Sequence, residues 1–159
     1  MDQDEPWKYD MQEIGFNYRM SDLNASLGLS QLKRLDNFLK RRREIVLYYM
    51  DKLKTLPLRI PPYSTDSAWH LFVCQTEDAS TRTELFKFLN KEKINAGIHY
   101  RPIYKNSYFQ EQGFERTYLP NAEKYYASSL SLPLYADITN IELNYIISKL
   151  HEFYGVKYG

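Results

Sequence analysis

Between Ser21 and Thr55 the chain has no proline and a single glycine, Gly28, while apolar residues recur along it, many of them three to four positions apart. Leu23, Leu27, Leu29, Leu32, Leu35 and Phe38 begin the series, and Leu39, Val46, Tyr49, Met50 and Leu53 continue it. That recurrence suits an α-helix. It predicts one long helix over about 21–55, bent near Gly28. Ser21 suits the N-cap, and Asp22 suits the positive first turn. Asn24 stands where a capping box needs Glu or Gln, so the box is incomplete. At ~1.5 Å per residue such a helix would run about 50 Å, longer than a compact domain of 19.0 kDa. Its first half therefore needs a surface outside the domain to pack against.

Pro57, Pro61 and Pro62, followed by Ser64 to Ser67, make a loop. WHLFVCQT at 69–76 reads as a strand, with Leu71, Val73 and Gln75 on one face. Ser80 or Thr81 then caps a helix over about 82–92, whose stripe is Leu85, Phe86 and Leu89. INAGIHY at 94–100 reads as a short strand, and a loop of aromatic and basic residues follows. Pro120 opens a helix over about 120–130, and residues 131–135 form a strand in which Pro133 favours an edge. Thr139 and Glu142 have capping-box spacing, ahead of a helix over 140–154 with the stripe Leu143, Ile146, Ile147, Leu150 and Phe153. The order predicts an α/β fold: a small sheet packed with helices and preceded by the long helix.

Composition narrows the function. Lys plus Arg is 21 and Asp plus Glu is 20, a balance that gives no global attraction to nucleic acid or acidic membranes. The run Lys40–Arg43 spreads around a helix and is offset by Asp36, Glu44 and Asp51. No apolar run approaches the roughly 20 residues that span a bilayer. The acidic opening MDQDEPWKYD is unlike a secretory signal, so a cytoplasmic protein is expected. A single cysteine, Cys74, excludes an intrachain disulfide and a cysteine-based metal cluster.

The three histidines have no ligand spacing. His70, inside the expected strand, reads as structural, and His151 suits the C-terminal end of a helix dipole. His99 differs, since it ends a strand after Gly97 and opens the loop with Tyr100, Arg101, Tyr104, Lys105 and Tyr108. Strand ends feeding loops are where α/β proteins place ligand contacts. Arg101 and Lys105 have the chemistry to meet a phosphate.

GFNYRMSDLNASLGLSQLKRLD at 15–36, with RRREI at 41–45, resembles the DegT/DnrJ/EryC1/StrS family of sugar aminotransferases. WHLFV at 69–73, GIHYRPIY at 97–104 and LPNAEKYYASSLSLPLY at 119–135 resemble the later blocks of that family, in its order. The resemblance implies the C-terminal small domain of a fold-type-I pyridoxal-phosphate enzyme. Residues 1–20 would be the remnant of the junction with a large domain, and 21–159 the linking helix and C-terminal α/β domain. It implies transfer of an amino group from glutamate to a keto nucleotide sugar in polysaccharide biosynthesis. The nearest subfamily resemblance is to enzymes acting on nucleotide-linked 4-keto-6-deoxy sugars.

In the family the cofactor lysine, the aspartate at the pyridine nitrogen and the stacked aromatic lie upstream of the block that begins near Trp7. No lysine here sits in a segment resembling that region. Transamination needs a held cofactor as electron sink and a lysine amine as proton shuttle. The expectation is a chain that binds pyridoxal phosphate weakly or not at all by itself and is inactive alone. It would self-associate or join a separate N-terminal half. A catalytically silent remnant and an independent nucleotide-sugar-binding or structural module are the alternatives. Residue by residue, the resemblance assigns Asn17 to the cofactor phosphate across a dimer and Arg19 to substrate or phosphate. His99, Tyr100 and Tyr104 fall in the loop lining the nucleotide-sugar site. Tyr104 stands where the family commonly has histidine, and Ser107 where it commonly has proline.

Overall fold

A computed structural model describes residues 13–16 and 18–156. Asn17 and the acidic opening segment lie outside the described residues. The chain divides into two compact units, Met1–Leu35 and Asp36–Gly159.

In the first unit Ser21 caps helix α1 (Asp22–Leu32), its hydroxyl accepting from the Asn24 N–H at 3.3 Å. The helix is continuous through Gly28. The expected single helix over 21–55 is instead interrupted at Lys33–Arg34, and a second helix, α2 (Leu35–Leu53), follows. The Arg34 N–H reaches back only to the Gln31 carbonyl, three residues away. That tightened turn replaces the four-residue ladder. No residue of α1 is buried: Leu23, Leu27, Leu29 and Leu32 are 81%, 61%, 61% and 63% exposed.

The second unit holds the core. Strands β1 (Phe72–Gln75) and β2 (Ser129–Leu132) pair antiparallel, with Phe72 opposite Leu132 and Val73 opposite Ser131. Phe72, Cys74, Leu130 and Leu132 point to one face, where α2 contributes Ile45, Val46, Tyr49 and Leu53. Helix α6 (Asn140–Phe153) adds Leu143, Ile146, Ile147 and Leu150 to the same cluster. Helix α3 (Ala79–Lys91) adds Leu85 and Leu89. Each fully buried aliphatic side chain stabilises the fold by roughly 1.5–3 kcal/mol. The Thr139–Glu142 capping box forms as its spacing predicts. Asp78 caps α3, its carboxylate accepting from the Thr81 N–H at 2.8 Å, so the helix starts earlier than the Ser80 or Thr81 cap would allow.

Two strands are shorter than their sequences suggest. Trp69 adopts φ 48°, donates its indole N–H to the Ser64 carbonyl at 3.0 Å and stacks on Tyr63. This withdraws residues 69–71 from β1, and His70 is exposed ahead of the strand rather than inside it. The strand expected over 94–100 reduces to a single bridge, Gly97 with Ser131. A second bridge joins Arg59 to Gln75. The ladder thus runs Arg59, β1, β2, Gly97. The stretch after the loop coils into short helical turns, Ile103–Lys105, α4 (Ser107–Phe109) and Gln110–Phe114, before α5 (Pro120–Ser128).

The basic run on α2 holds the fold together. Arg41 donates to the Ile138 carbonyl at 2.9 Å, and Arg43 to the Thr65 carbonyl at 3.1 Å. His151 is buried, with Nε2 2.9 Å from the Lys52 carbonyl oxygen, so it joins α6 to α2 as well as sitting in a last turn. No described helix is long and apolar enough to cross a membrane.

Candidate ligand site at the end of the sheet

The loop from His99 to Lys105 leaves the sheet at the Gly97–Ser131 bridge, whose two N–H groups donate to the facing carbonyls at 3.0 and 2.8 Å. This pairing places the Ser131 side chain beneath the loop. His99 Nδ1 lies 2.8 Å from Ser131 Oγ. Gly97 leaves room for the ring: a Cβ there would fall 2.4 Å from His99 Cε1. Tyr100 is joined to His99 by a cis peptide, meets its ring edge-on at 4.6 Å between centroids, and is 73% exposed.

The far end of the loop is tied down. Tyr104 is only 7% exposed and its hydroxyl donates to Glu123 Oε1 at 2.9 Å. Lys105 forms an ion pair with the other oxygen of Glu123. The Lys105 ammonium holds the Glu123 carboxyl below its usual range, and Glu123 in turn raises Lys105. Burial first, and then Glu123, raises the Tyr104 phenol. Lys105 and Arg82 flank the Tyr126 ring at 5.9 and 5.7 Å, and Arg82 Nε donates to the Ala127 carbonyl at 3.1 Å. Helix α5 is therefore the floor on which the loop is fixed. Lys105 is engaged by Glu123, whereas Arg101 is exposed.

The structure thus pairs His99 with Tyr100 and Ser131 at one end of the loop and Tyr104 with Glu123 at the other, and sequence reasoning did not single out Ser131 or Glu123. Arg19 is exposed in the first unit. A separate cleft of about 780 Å³ lies on the outer face of β1, lined by Trp69, Leu71, Val73, Lys124 and Tyr125 among others. None of the expected site residues lines it.

The residues fit only part of a pyridoxal-phosphate site. Every described aspartate is exposed, so none offers a buried partner for a pyridine nitrogen. The half-buried lysines Lys52, Lys105 and Lys149 are each ion-paired, to Asp51, to Glu123, and to Glu92 with Glu152. The other described lysines are exposed. Among the described residues no group of three or more His, Cys, Asp or Glu could hold a metal ion.

The sequence profile of the DegT/DnrJ/EryC1/StrS aminotransferase family matches residues 1–151. The spore coat polysaccharide biosynthesis protein SpsC of Bacillus subtilis (strain 168) is 36% identical over 154 residues, covering 92% of this chain and 40% of SpsC. Among solved structures, PseC of Helicobacter pylori, an aminotransferase involved in the biosynthesis of pseudoaminic acid, superposes with a TM-score of 0.83. Its identity is 28%, over 92% of this chain and 40% of PseC. Spr1654 of Streptococcus pneumoniae in its PMP form gives a TM-score of 0.84 at 28% identity, over 95% of this chain and 39% of that one. The chain therefore spans about 40% of the length of the relatives it matches.

Proposed function

The chain belongs to the DegT/DnrJ/EryC1/StrS aminotransferase family, and from that membership we propose that it supplies the sugar-binding C-terminal part of a pyridoxal-phosphate-dependent aminotransferase. Its substrate is a keto nucleotide sugar and its amino donor is glutamate. Residues 1–20 are the junction with a lysine-bearing large domain, and 21–159 are the linking helix and the small domain. When bound to that large domain, the cofactor supplies the electron sink for amino-group transfer. This chain contributes Asn17 toward the cofactor phosphate, Arg19 toward substrate, and the His99–Lys105 loop toward the nucleotide sugar. The work is done in the cytoplasm.

The observation that carries the reading is the two-point fixation of the loop. His99 is held by Ser131 at one end, and Tyr104 and Lys105 by Glu123 at the other. Between them Tyr100 and Arg101 face solvent. An aromatic ring and a guanidinium on a rigid loop suit a base or sugar ring and a diphosphate. Tyr104 serves this site from below, by holding the loop's shape.

The exposed leucines of α1 support a partner. Leu23 and Leu27 lie one turn apart on one side of α1 and Leu29 and Leu32 on the other, so the helix exposes apolar surface around its circumference, at a cost in water. The lysine-bearing half, or a second copy of the chain, is the proposed cover.

The reading is tested by titrating UDP- and dTDP-linked sugars into the isotope-labelled chain and following amide shifts. Saturable shifts confined to residues 97–108 are expected. Shifts confined to the cleft at Trp69 and Lys124, or none with any nucleotide sugar, would contradict it.

A further inference from the structure

Ser131 is 3% exposed, and His99 Nδ1 is the only hydrogen-bond partner of its hydroxyl among the described residues. A buried hydroxyl carries a proton that must be placed, because an unmet donor costs about 1–3 kcal/mol. Two arrangements bridge the 2.8 Å gap. If Nδ1 carried the hydrogen, Ser131 would accept and its own proton would have no acceptor. If Ser131 donates, Nδ1 accepts through its lone pair, both groups are satisfied, and the ring hydrogen resides on Nε2.

We propose that Ser131 and Gly97 are positioning residues that hold His99 as the Nε2–H tautomer, so that the loop presents a ring N–H donor to an anionic oxygen of the ligand. Gly97 takes part because any side chain there would displace the ring. Its Cβ would lie 2.4 Å from Cε1 and 3.1 Å from Nδ1, the atom that Ser131 holds. Both supports come from one backbone bridge, so the sheet itself sets the ring orientation. Nε2 makes no hydrogen bond among the described residues, which leaves it available. The ligand chemistry that matches an N–H on the same loop as the exposed Arg101 is a phosphate oxygen, as a diphosphate carries. This part of the proposal rests on the nucleotide-sugar reading, whereas the tautomer stands on the geometry alone.

The test uses the full chain, labelled with nitrogen-15 at histidine, at about pH 8.5, where an ordinary imidazole of pKa ~6.5 is neutral. Long-range proton–nitrogen spectra separate a bare ring nitrogen from a protonated one. The expected result is a bare Nδ1 and a protonated Nε2 in the unmodified chain, with widely separated shifts. In Ser131→Ala and in Gly97→Ala the two shifts should move toward each other as the ring exchanges between tautomers. A protonated Nδ1 in the unmodified chain, or an unchanged spectrum in folded Ser131→Ala, would overturn the proposal.

Inorganic pyrophosphate is the second probe. It should move the Nε2 signal in the unmodified chain and bind about two- to tenfold more weakly to Ser131→Ala, the range for one misdirected hydrogen bond. A bare Nδ1 with no response to pyrophosphate would overturn the phosphate assignment. A nucleotide sugar that shifts Tyr100 while His99 keeps a protonated Nδ1 would defeat this proposal and leave the nucleotide-sugar reading standing.

Discussion

The Tyr104 hydroxyl donates to Glu123 Oε1 across 2.9 Å, and it does so from a ring that is almost wholly buried. The second oxygen of the same carboxylate takes the Lys105 ammonium. Two neighbouring loop residues thus converge on one side chain of α5, which makes Glu123 the post to which the His99–Lys105 loop is tied.

That arrangement predicts a pH window. Glu123 is lowered in the folded chain, chiefly by Lys105. Its contribution is therefore present above the ordinary carboxylate range, about 4.3, and is lost as pH falls through the lower folded value. Lys105 is raised, chiefly by Glu123. Its contribution is present below the ordinary lysine value of about 10.4 and is lost as pH rises through the raised one. The gap in urea midpoint between the unmodified chain and Glu123→Gln should be greatest near neutrality and shrink toward both extremes. A gap independent of pH would contradict the ion pair.

Tyr49 is fully buried, meets the Phe72 ring at a tilt with centroids 5.0 Å apart, and donates its hydroxyl to the Pro133 carbonyl at 2.9 Å. Burial, rather than a neighbouring charge, is the main cause that raises its phenol. Tyr49→Phe should cost about 1 kcal/mol, the net worth of a single hydrogen bond plus the unmet carbonyl. Leu150→Ala, in the same core, should cost about 2–5 kcal/mol by leaving a cavity. Denaturant unfolding of both variants measures this, and equal losses would contradict the packing.

Cys74 is buried on the inner face of β1, with its Sγ 3.3 Å from the Leu130 carbonyl oxygen. Burial pushes its thiol up to about 12. The thiolate is the reactive form, so a thiol reagent near pH 8 should leave the folded chain unlabelled and modify it stoichiometrically in denaturant. Rapid labelling of the native chain would show that the sheet opens.

Much of the second unit was legible in its residues. The Thr139–Glu142 box and the stripe of α6 form as their spacing predicts, because both are set by contacts within a few residues. The break at Lys33–Arg34 was not legible, since neither residue is a helix breaker and the apolar rhythm continues through it. Trp69 carries strand propensity but turns away to meet Ser64 and Tyr63. At the site, His99 was legible as the start of a loop of aromatic and basic residues, although the strand expected before it reduces to the Gly97–Ser131 bridge. Its support was not, because Ser131 lies 32 positions away and meets it only through the pairing of Gly97. Lys105 looked like a phosphate ligand until Glu123, from a different helix, came into reach.

The leucines of α1 carry a prediction about association. If a second copy covers them, sedimentation should show mass rising with concentration. Leu27→Lys together with Leu32→Lys should abolish that rise while leaving the unfolding midpoint of the second unit unchanged. A monomer at every concentration, with strongly protected amides through 22–32, would mean that the helix is satisfied within its own chain.

As proposed, this chain completes an aminotransferase whose lysine resides on another domain. The direct measurement is amino transfer from glutamate to a keto nucleotide sugar by this chain, by a separately produced lysine-bearing domain, and by their mixture with pyridoxal phosphate. Borohydride trapping and mass analysis of each polypeptide accompany the assay. The account predicts transfer only in the mixture, with the trapped cofactor on the lysine-bearing domain and none in stoichiometric amount on this chain. A stoichiometric adduct on one lysine of this chain, with transfer by the chain alone, would contradict it.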